Sequence, residues 1–302
     1  MRGIISRFAP APTGYLHLGH VVNAVLVWQE ARARSGRVLL RIEDHDRQRS
    51  RRHFESAMLE DLAWLGFAAD EAPVRQSERG AIYESALDRL RRRGWVYGCD
   101  CSRAGIAAAQ SADVASATHR RDSSDSDKAG RDPAGERRYP GTCRDRGIAD
   151  GPGVGLRVRL EPSVERFTDL RLGPQEQRPS EQCGDLLARD RDGNWSYQFA
   201  AAVDDYVQGV TLVVRGIDLL ASTGRQIQLS RLLGREEPPA FLHHALIMKS
   251  PTQKLSKSDG DSGIRELRSA GWSPAQVIAA ATARITDATE RTETEKAEGE
   301  RG

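Results

Sequence analysis

Apolar residues open the chain in a short run, Gly3-Ile4-Ile5-Ser6-Arg7-Phe8, which Pro10 and Pro12 end by removing amide donors and fixing the backbone. From Leu18 to Arg34 the residues Val21, Val22, Val25, Leu26 and Trp28 recur at near-helical spacing, and Gly36 stands where it can stop that helix. A second apolar strand, Arg37 to Glu43, follows at once. Strand, glycine-containing turn, helix and strand predict a βαβ unit with a right-handed crossover and a parallel sheet. Two further helices, each with an apolar face, are expected over His53–Leu65 and Glu78–Arg93, ending near Gly66 and Gly94.

Between Ala104 and Arg138 the pattern dissolves into Ala, Ser, Asp, Arg and Gly. No periodic apolar face is left to offset the entropy of ordering, so residues 104–138 are expected to be disordered. Leu156–Leu160 alternates like a strand and is expected to pair with Phe167–Leu172 across a loop containing Pro162, forming a small sheet. Regular patterning resumes at Asp185–Arg189, the Asp192-Gly193-Asn194 turn and Trp195–Ala200. A strand over Val210–Val214 and a helix from Asp218 to Leu233 then return the chain to the parallel sheet. One or two short helices follow Gly260, and the tail from Thr282, rich in Thr, Glu and Arg, is expected to fray.

A chain of 302 residues can bury a full-sized core. Its 38% hydrophobic and 29% charged content excludes a membrane-spanning class, since no apolar run approaches about eighteen residues. Arg7 interrupts the short apolar stretch at the start, so a secretory leader is not expected and a cytoplasmic location is. The net charge of +2, from 45 basic and 43 acidic residues, says little about partners. Arginine is nevertheless crowded into 47–52, 89–93 and 137–146, where it can follow a phosphate backbone or line a solvated helix face. Arg89, Arg91, Arg92 and Arg93 are the backbone-contact candidates on one such face. Four cysteines in a reducing compartment are not expected to form disulfides. Cys99 and Cys101 sit two apart, Cys143 follows a long gap, and Cys183 stands alone, a spacing that suggests metal ligands.

The loop Arg7-Phe8-Ala9-Pro10-Ala11-Pro12-Thr13-Gly14-Tyr15-Leu16-His17-Leu18-Gly19-His20 carries a strand end into a helix N-terminus, a junction suited to a polyanion. Gly19 lets a nucleotide approach the backbone, and His17 and His20 can donate to phosphate oxygens. In isolation the two histidines read equally as capping and packing residues. Far downstream, Lys254-Leu255-Ser256-Lys257-Ser258 follows the Ser250-Pro251-Thr252-Gln253 turn and can close over a triphosphate. There Lys254 and Ser256 would bind ATP and Lys257 would neutralise charge at the α-phosphate. Alone, that pentapeptide reads as a solvated lysine turn.

Together the two motifs resemble the HIGH and KMSKS signatures of class I aminoacyl-tRNA synthetases. Arg7–Gly14, Arg41-Ile42-Glu43-Asp44, Tyr197-Gln198, Val203-Asp204-Asp205 and Val214-Arg215-Gly216-Ile217-Asp218-Leu219-Leu220 are similar to the glutamyl branch over most of the chain up to Gly260. The resemblance implies an α/β, Rossmann-like catalytic domain with a parallel sheet, an inserted zinc-containing α+β subdomain and a short helical C-terminal region. The implied partition is 1–98 for the first half of the catalytic domain, 99–184 for the inserted acceptor-binding subdomain, 185–245 for the second half, and 246–302 for the KMSKS-like loop and terminal helices.

It also implies an enzyme in which His17, His20 and Lys257 are catalytic. ATP would be bound by His17, Gly19, His20, Lys254, Ser256 and Lys257, with magnesium on its phosphates. L-glutamate would be held by Arg7, Phe8, Ala9, Pro10, Ala11, Glu43, Tyr197 and Arg215. Guanidinium groups such as Arg7 and Arg215 suit the two carboxylates, Glu43 suits the ammonium, and the Tyr197 hydroxyl would fix orientation. The chain stops about forty residues after the KMSKS-like loop, and Cys99-Asp100-Cys101 with Tyr139-Pro140-Gly141-Thr142-Cys143 resembles a zinc site. Both features favour a truncated paralogue of that branch. Such paralogues activate glutamate without tRNA and esterify it onto queuosine in the anticodon of tRNA(Asp).

The zinc ligands implied are Cys99, Cys101, Tyr139 and Cys143; without the resemblance, Cys183 or His119 would rank with Tyr139. A monomer is expected. The competing expectations are a compact synthetase charging a tRNA 3′ end and a non-catalytic RNA-binding paralogue. The sequence departs from the family pattern at Ala11, where serine is usual. It departs again at His45-Asp46-Arg47-Gln48, which lacks the usual proline, and in the long segment between Cys101 and Tyr139.

Overall fold

The computed structural model describes residues 3–109, 138–246, 248–250, 253–254 and 263–285. Strand β1 (Ile5–Phe8), helix α1 (Leu18–Arg32) and strand β2 (Arg37–Ile42) form the expected βαβ unit, with β1 parallel to β2 from the Ile5–Arg37 pair onward. Helix α1 is buried along most of one side by Leu18, Val21, Val22, Val25 and Leu26 and packs on the sheet, and Phe8 meets Trp28 edge to face. The helices α2 (Arg52–Leu65) and α3 (Gly80–Arg92) lie close to their predicted ranges. Gly66 closes α2 in the left-handed conformation, with φ of 81°, which glycine adopts without a Cβ penalty.

The main sheet has seven strands. Besides β1 and β2 it contains β3 (Val74–Arg75), β6 (Glu165–Asp169), β7 (Gly173–Gln177), β9 (Leu212–Gly216) and β10 (Ala240–His244), in the order β3-β2-β1-β9-β10-β6-β7. All neighbours are parallel except β6 and β7. The chain winds outward from β1 to β2 and β3 on one side and returns on the other with β9 and β10. That reversal places a crevice beyond the carboxyl ends of β1 and β9, where open parallel sheets bind ligands.

A second sheet of three antiparallel strands, β4 (Val96–Cys99), β5 (Gly155–Val158) and β8 (Leu186–Arg189), packs over α3 and over α6 (Tyr197–Val207) through Leu87, Leu90, Leu156, Val158 and Phe199. The expected pairing of 156–160 with 167–172 is therefore incorrect. Leu156 pairs with Gly98, and 165–169 joins the parallel sheet beside β10. Local alternation identified both strands but carries no information about distant partners.

Two other expectations change. Residues 103–109 are helical (α4), started by the Ser102 hydroxyl accepting from Gly105 N at 2.9 Å, with Ile106 packed beside Tyr139. Disorder therefore does not begin at Ala104; residues 110–137 lie outside the described residues. The regular pattern at Trp195–Ala200 proves to be the start of α6, capped by Ser196 accepting from Phe199 N at 3.2 Å. Its periodicity was masked because α6 buries Asp204 and Asp205 as well as its apolar residues.

The predicted 218–233 helix divides into a 3-10 turn, Ile217–Ser222, and α7 (Thr223–Leu232), following the four-residue α5 (Pro179–Gln182) in chain order. Toward the C-terminus, β11 (Met248–Ser250) and β12 (Gln253–Lys254) form a hairpin, followed by α8 (Ile264–Ser269) and a helix over 274–285 (α9). No helix among the described residues is long and apolar enough to cross a membrane.

Candidate active site

The first motif sits where β1 runs into α1. Pro10 and Pro12 leave their carbonyls to accept from Glu43 N and Arg51 N, both at 3.0 Å, so the stiffened loop is tied to the end of β2 and the start of α2. Phe8 and Pro10 are buried, while Ala9 and Ala11 are partly exposed.

His17 is the N-cap of α1. Its Nδ1 accepts from Gly19 N, and His20 Nδ1 accepts in return from His17 N, both at 3.1 Å. Because both Nδ1 atoms are acceptors, the ring protons fall on Nε2. Capping and donation to an oxyanion are thus compatible roles. A Cβ on Gly19 would stand 2.9 Å from His17 Cε1, so glycine is also required by the cap itself.

Of the second motif, Lys254 lies in the hairpin opposite Met248. On the far side of the motif, Gly263 bridges to His17 and Ile264 N donates to Leu16 O at 2.9 Å. Ser256 and Lys257 lie outside the described residues.

At the switch point, five charged or titratable side chains stand in a row across adjacent strand ends: Glu43 after β2, Arg7 on β1, Arg215 on β9, His243 on β10 and Asp169 on β6. Arg7 Nε donates to Asp205 Oδ1 at 3.2 Å and its Nη1 to Val214 O at 3.3 Å. Arg41, with no exposed surface, donates to the same Asp205 oxygen at 2.7 Å and lies 3.4 Å from Glu43 Oε1. Asp204, on the same turn of α6, accepts from Gln76 at 2.8 Å, Arg79 at 2.6 Å and Tyr83 at 2.8 Å.

Burial disfavours the Arg41 cation, but Asp205, Glu43 and Asp204 outweigh it and raise its pKa. Burial alone would raise Asp205; Arg7 and Arg41 instead hold it below the usual carboxylate range. Glu43 is raised, because burial exceeds the opposing pull of Arg41 and Arg7.

Arg215 differs. It is 3% exposed, and its direct hydrogen-bond partners are neutral: His243 Nε2 at 3.0 Å, Gln226 Oε1 at 2.6 Å and Thr223 Oγ1 at 2.8 Å. Burial lowers its pKa despite a hydrogen bond with the Tyr197 hydroxyl and the more distant Asp205. Tyr197 is itself raised, first by burial and then by the Glu43 charge. Arg7, Glu43, Tyr197 and Arg215, named separately from the sequence, thus converge on one crevice: two cations, a carboxylate and a hydroxyl. That donor set suits a small zwitterion carrying an additional carboxylate.

Sequence reasoning quoted Asp204 and Asp205 only as part of the resemblance, without a role, and missed Asp169 and His243. The available signal was carboxylates and imidazole inside apolar segments, VDDYV and AFLHH, where charge requires a partner.

The sulfur atoms of Cys99, Cys101 and Cys143 lie within 4.8 Å of one another. The Tyr139 hydroxyl is 3.5 Å from Cys99 Sγ and 4.0 Å from Cys101 Sγ, and it accepts from Cys143 N at 2.8 Å. Ligand–ligand spacings of about 3.5–4 Å are what tetrahedral coordination with thiolates and one oxygen demands, so the set fits a metal ion. Cys183 is turned elsewhere, toward Pro179 O at 3.1 Å, and His119 lies outside the described residues. The Arg157 guanidinium stacks 3.6 Å over the Tyr139 ring and donates to Cys99 Sγ at 3.4 Å; burial opposes the Cys99 thiolate, but the Tyr139 hydroxyl and Arg157 hold that thiol below its ordinary range, while burial pushes the Tyr139 hydroxyl up.

Comparison with known proteins places this geometry in context. The family model described as tRNA synthetases class I (E and Q), catalytic domain, matches residues 3–299. Relatives named glutamyl-Q tRNA(Asp) synthetase include that of Bordetella bronchiseptica, 45% identical over 85% of this chain and 75% of its own length. The protein of that name from Rhodobacter capsulatus is 39% identical over 91% of this chain and 98% of its own. Among solved structures, a glutamate tRNA ligase from Elizabethkingia meningosepticum in complex with its amino acid superposes with a TM-score of 0.69 at 26% identity. That match covers 86% of this chain and 53% of the ligase, so the chain spans about half the length of that enzyme.

Proposed function

The chain belongs to the class I tRNA synthetases (E and Q), and from that premise we propose that it uses ATP to activate L-glutamate without tRNA and passes the glutamyl group to queuosine in the anticodon of tRNA(Asp). The observation that carries the glutamate reading is the crevice pairing of Arg215, a buried cation with neutral direct partners, with Arg7, Glu43 and Tyr197. Glu43 binds the ammonium, and the arginines take the two carboxylates. The α-carboxylate then attacks the α-phosphate of ATP and pyrophosphate leaves. Nε2–H of His17 and His20, with Lys254, Ser256 and Lys257 from the neighbouring segment, stabilises the charge that gathers on the phosphates. Transfer to the acceptor hydroxyl releases AMP and needs no covalent enzyme intermediate.

The acceptor assignment is supported by the printed name of the relatives and by the thiolate cluster. Cys99, Cys101, Cys143 and Tyr139 hold zinc, which ties the end of β4 to the 139–143 loop and supplies structural cross-linking. Elemental analysis is expected to give about one zinc per chain, abolished in Cys143→Ala; a metal-free wild-type protein with full activity would remove this assignment.

The test of function is glutamate-dependent exchange of pyrophosphate into ATP without tRNA, followed by glutamylation of tRNA(Asp) with and without queuosine. Exchange is expected with glutamate, and transfer only to the queuosine form. Absence of exchange from well-folded protein sinks the activation step, and equal labelling of both tRNAs sinks the acceptor.

A further inference from the structure

Arg215 has to present its guanidinium to a ligand from a site where, among the described residues, no carboxylate is hydrogen-bonded to it. Besides its bond to the Tyr197 hydroxyl, three of its five donors are anchored, to His243 Nε2, Gln226 Oε1 and Thr223 Oγ1. Gln226 is in turn fixed by Gln198 at 2.9 Å, and Gln198 donates to Ser222 at 3.0 Å. The Nε contact is the unusual one, because imidazole accepts at Nε2 only as the neutral tautomer with its proton on Nδ1.

That tautomer is imposed by Asp169. Its Oδ2 lies 2.6 Å from His243 Nδ1 and also accepts His243 N at 3.0 Å, while its Oδ1 accepts Arg171 N and Leu172 N, each at 2.9 Å. Both His243 and Asp169 are essentially inaccessible, at 0% and 1% exposure. Every element of the pair sits on adjacent strands: Arg215 is in register with His243, and Phe241 with Asp169.

We propose that the Asp169–His243 pair positions Arg215 for the amino-acid substrate: Asp169 holds His243 as the Nδ1–H tautomer, and His243 Nε2 then fixes the Arg215 guanidinium by accepting its Nε–H. The inference rests on the glutamate reading of the crevice and adds residues that do not touch the substrate. Charge around the imidazole agrees with it. Burial lowers the His243 pKa, Asp169 opposes, and Arg215 on β9 and His244 on β10 press in the same direction as burial. An imidazolium would place a donor and a second cation against Arg215, so the positioning would be lost.

The tests are a kinetic split and a direct view of the ring. In glutamate-dependent pyrophosphate exchange, Asp169→Asn is expected to raise KM for glutamate about 10- to 100-fold with KM for ATP changed less than about 2-fold. His243→Gln, whose side-chain carbonyl can replace Nε2 as acceptor, is expected to retain affinity better than His243→Leu. Circular dichroism checks that each variant folds. Unchanged glutamate KM in both Asp169→Asn and His243→Leu, or equal rises in the ATP and glutamate KM values, would overturn the assignment.

Long-range 1H–15N correlation on wild-type His243 is expected to show Nδ1 protonated and Nε2 bare at neutral pH. The opposite tautomer, or an imidazolium at neutral pH, overturns the proposal whatever amino acid is activated. Failure of wild-type exchange with glutamate, by contrast, strikes the functional reading alone and leaves the ring spectrum to decide the positioning role.

Discussion

The two sides of the crevice are built from the same residue type and treat it oppositely. On the β1–β2 side, Arg7, Arg41 and Arg79 face Glu43, Asp204 and Asp205 in a closed network of direct ion pairs. On the β9–β10 side, Arg215 is equally buried but touches His243, Thr223 and Gln226, all without charge. Arg41, held between Asp205 and Glu43, is already neutralised and serves as scaffold. A buried arginine held only by neutral acceptors carries an electrostatic cost that an incoming carboxylate relieves. The comparison teaches that burial and residue type do not separate Arg41 from Arg215; the charge of the immediate partners does.

The sharpest way to break this contrast is Arg215→Gln. It is expected to lower kcat/KM for glutamate in pyrophosphate exchange by about 10³-fold. Thermal stability should hold or rise slightly, because an uncompensated buried charge is removed. A large loss of stability would place Arg215 with the scaffold.

The converse substitution is Asp205→Asn, which strips Arg7 and Arg41 of their shared acceptor. Urea unfolding is expected to show a loss of about 3–5 kcal/mol at neutral pH, the usual result of orphaning a buried charge. The pH dependence has a definite sign. Asp205 is depressed in the fold, so its contribution is complete above its unfolded pKa of about 4 and is lost as pH falls through the lower folded value. The variant should therefore lack part of the wild-type acid destabilisation, and a stability difference independent of acid pH would argue against the network.

The smallest effect is expected outside the crevice, at Asp61 on α2. This residue is 1% exposed, neither carboxylate oxygen has a hydrogen-bond partner among the described residues, and burial pushes its pKa up to about 6 against the pull of Arg265 and Arg268. It is an anionic counterpart of Arg215 without a crevice to face. A raised carboxylate contributes its stability below the unfolded pKa and loses it as pH rises through the folded one. Asp61→Asn should match the wild type below about pH 4 and be more stable by about 1–2 kcal/mol above about pH 7. Equal stability at both ends would mean that the carboxylate is not desolvated as described.

The βαβ opening, the ranges of α2 and α3, and the family itself were legible because they rest on local periodicity and on short motifs with fixed spacing. The four residues that converge in the crevice were also named, although their convergence depends on strand order. Helix α6 was missed because its buried aspartates break the apolar stripe, and 165–169 was paired with the wrong sheet because alternation does not identify a partner. The cluster of Cys99, Cys101, Cys143 and Tyr139 was foreseen from spacing and resemblance, and its 4.8 Å sulfur envelope now fits a metal.

By itself, then, the sequence determined which segments are strands and helices near the N-terminus, which motifs resemble the family's signatures, and which side chains are proposed for glutamate. The tertiary structure alone decided that Arg7 and Arg41 share Asp205 while Arg215 is held by neutral groups, and that Asp169 and His243 stand behind it. The physical reason is distance along the chain. Asp205 lies 198 residues from Arg7, and Asp169 lies 74 from His243. Electrostatic partnership at such separations is set by the order in which strands enter the sheet, which no local pattern encodes.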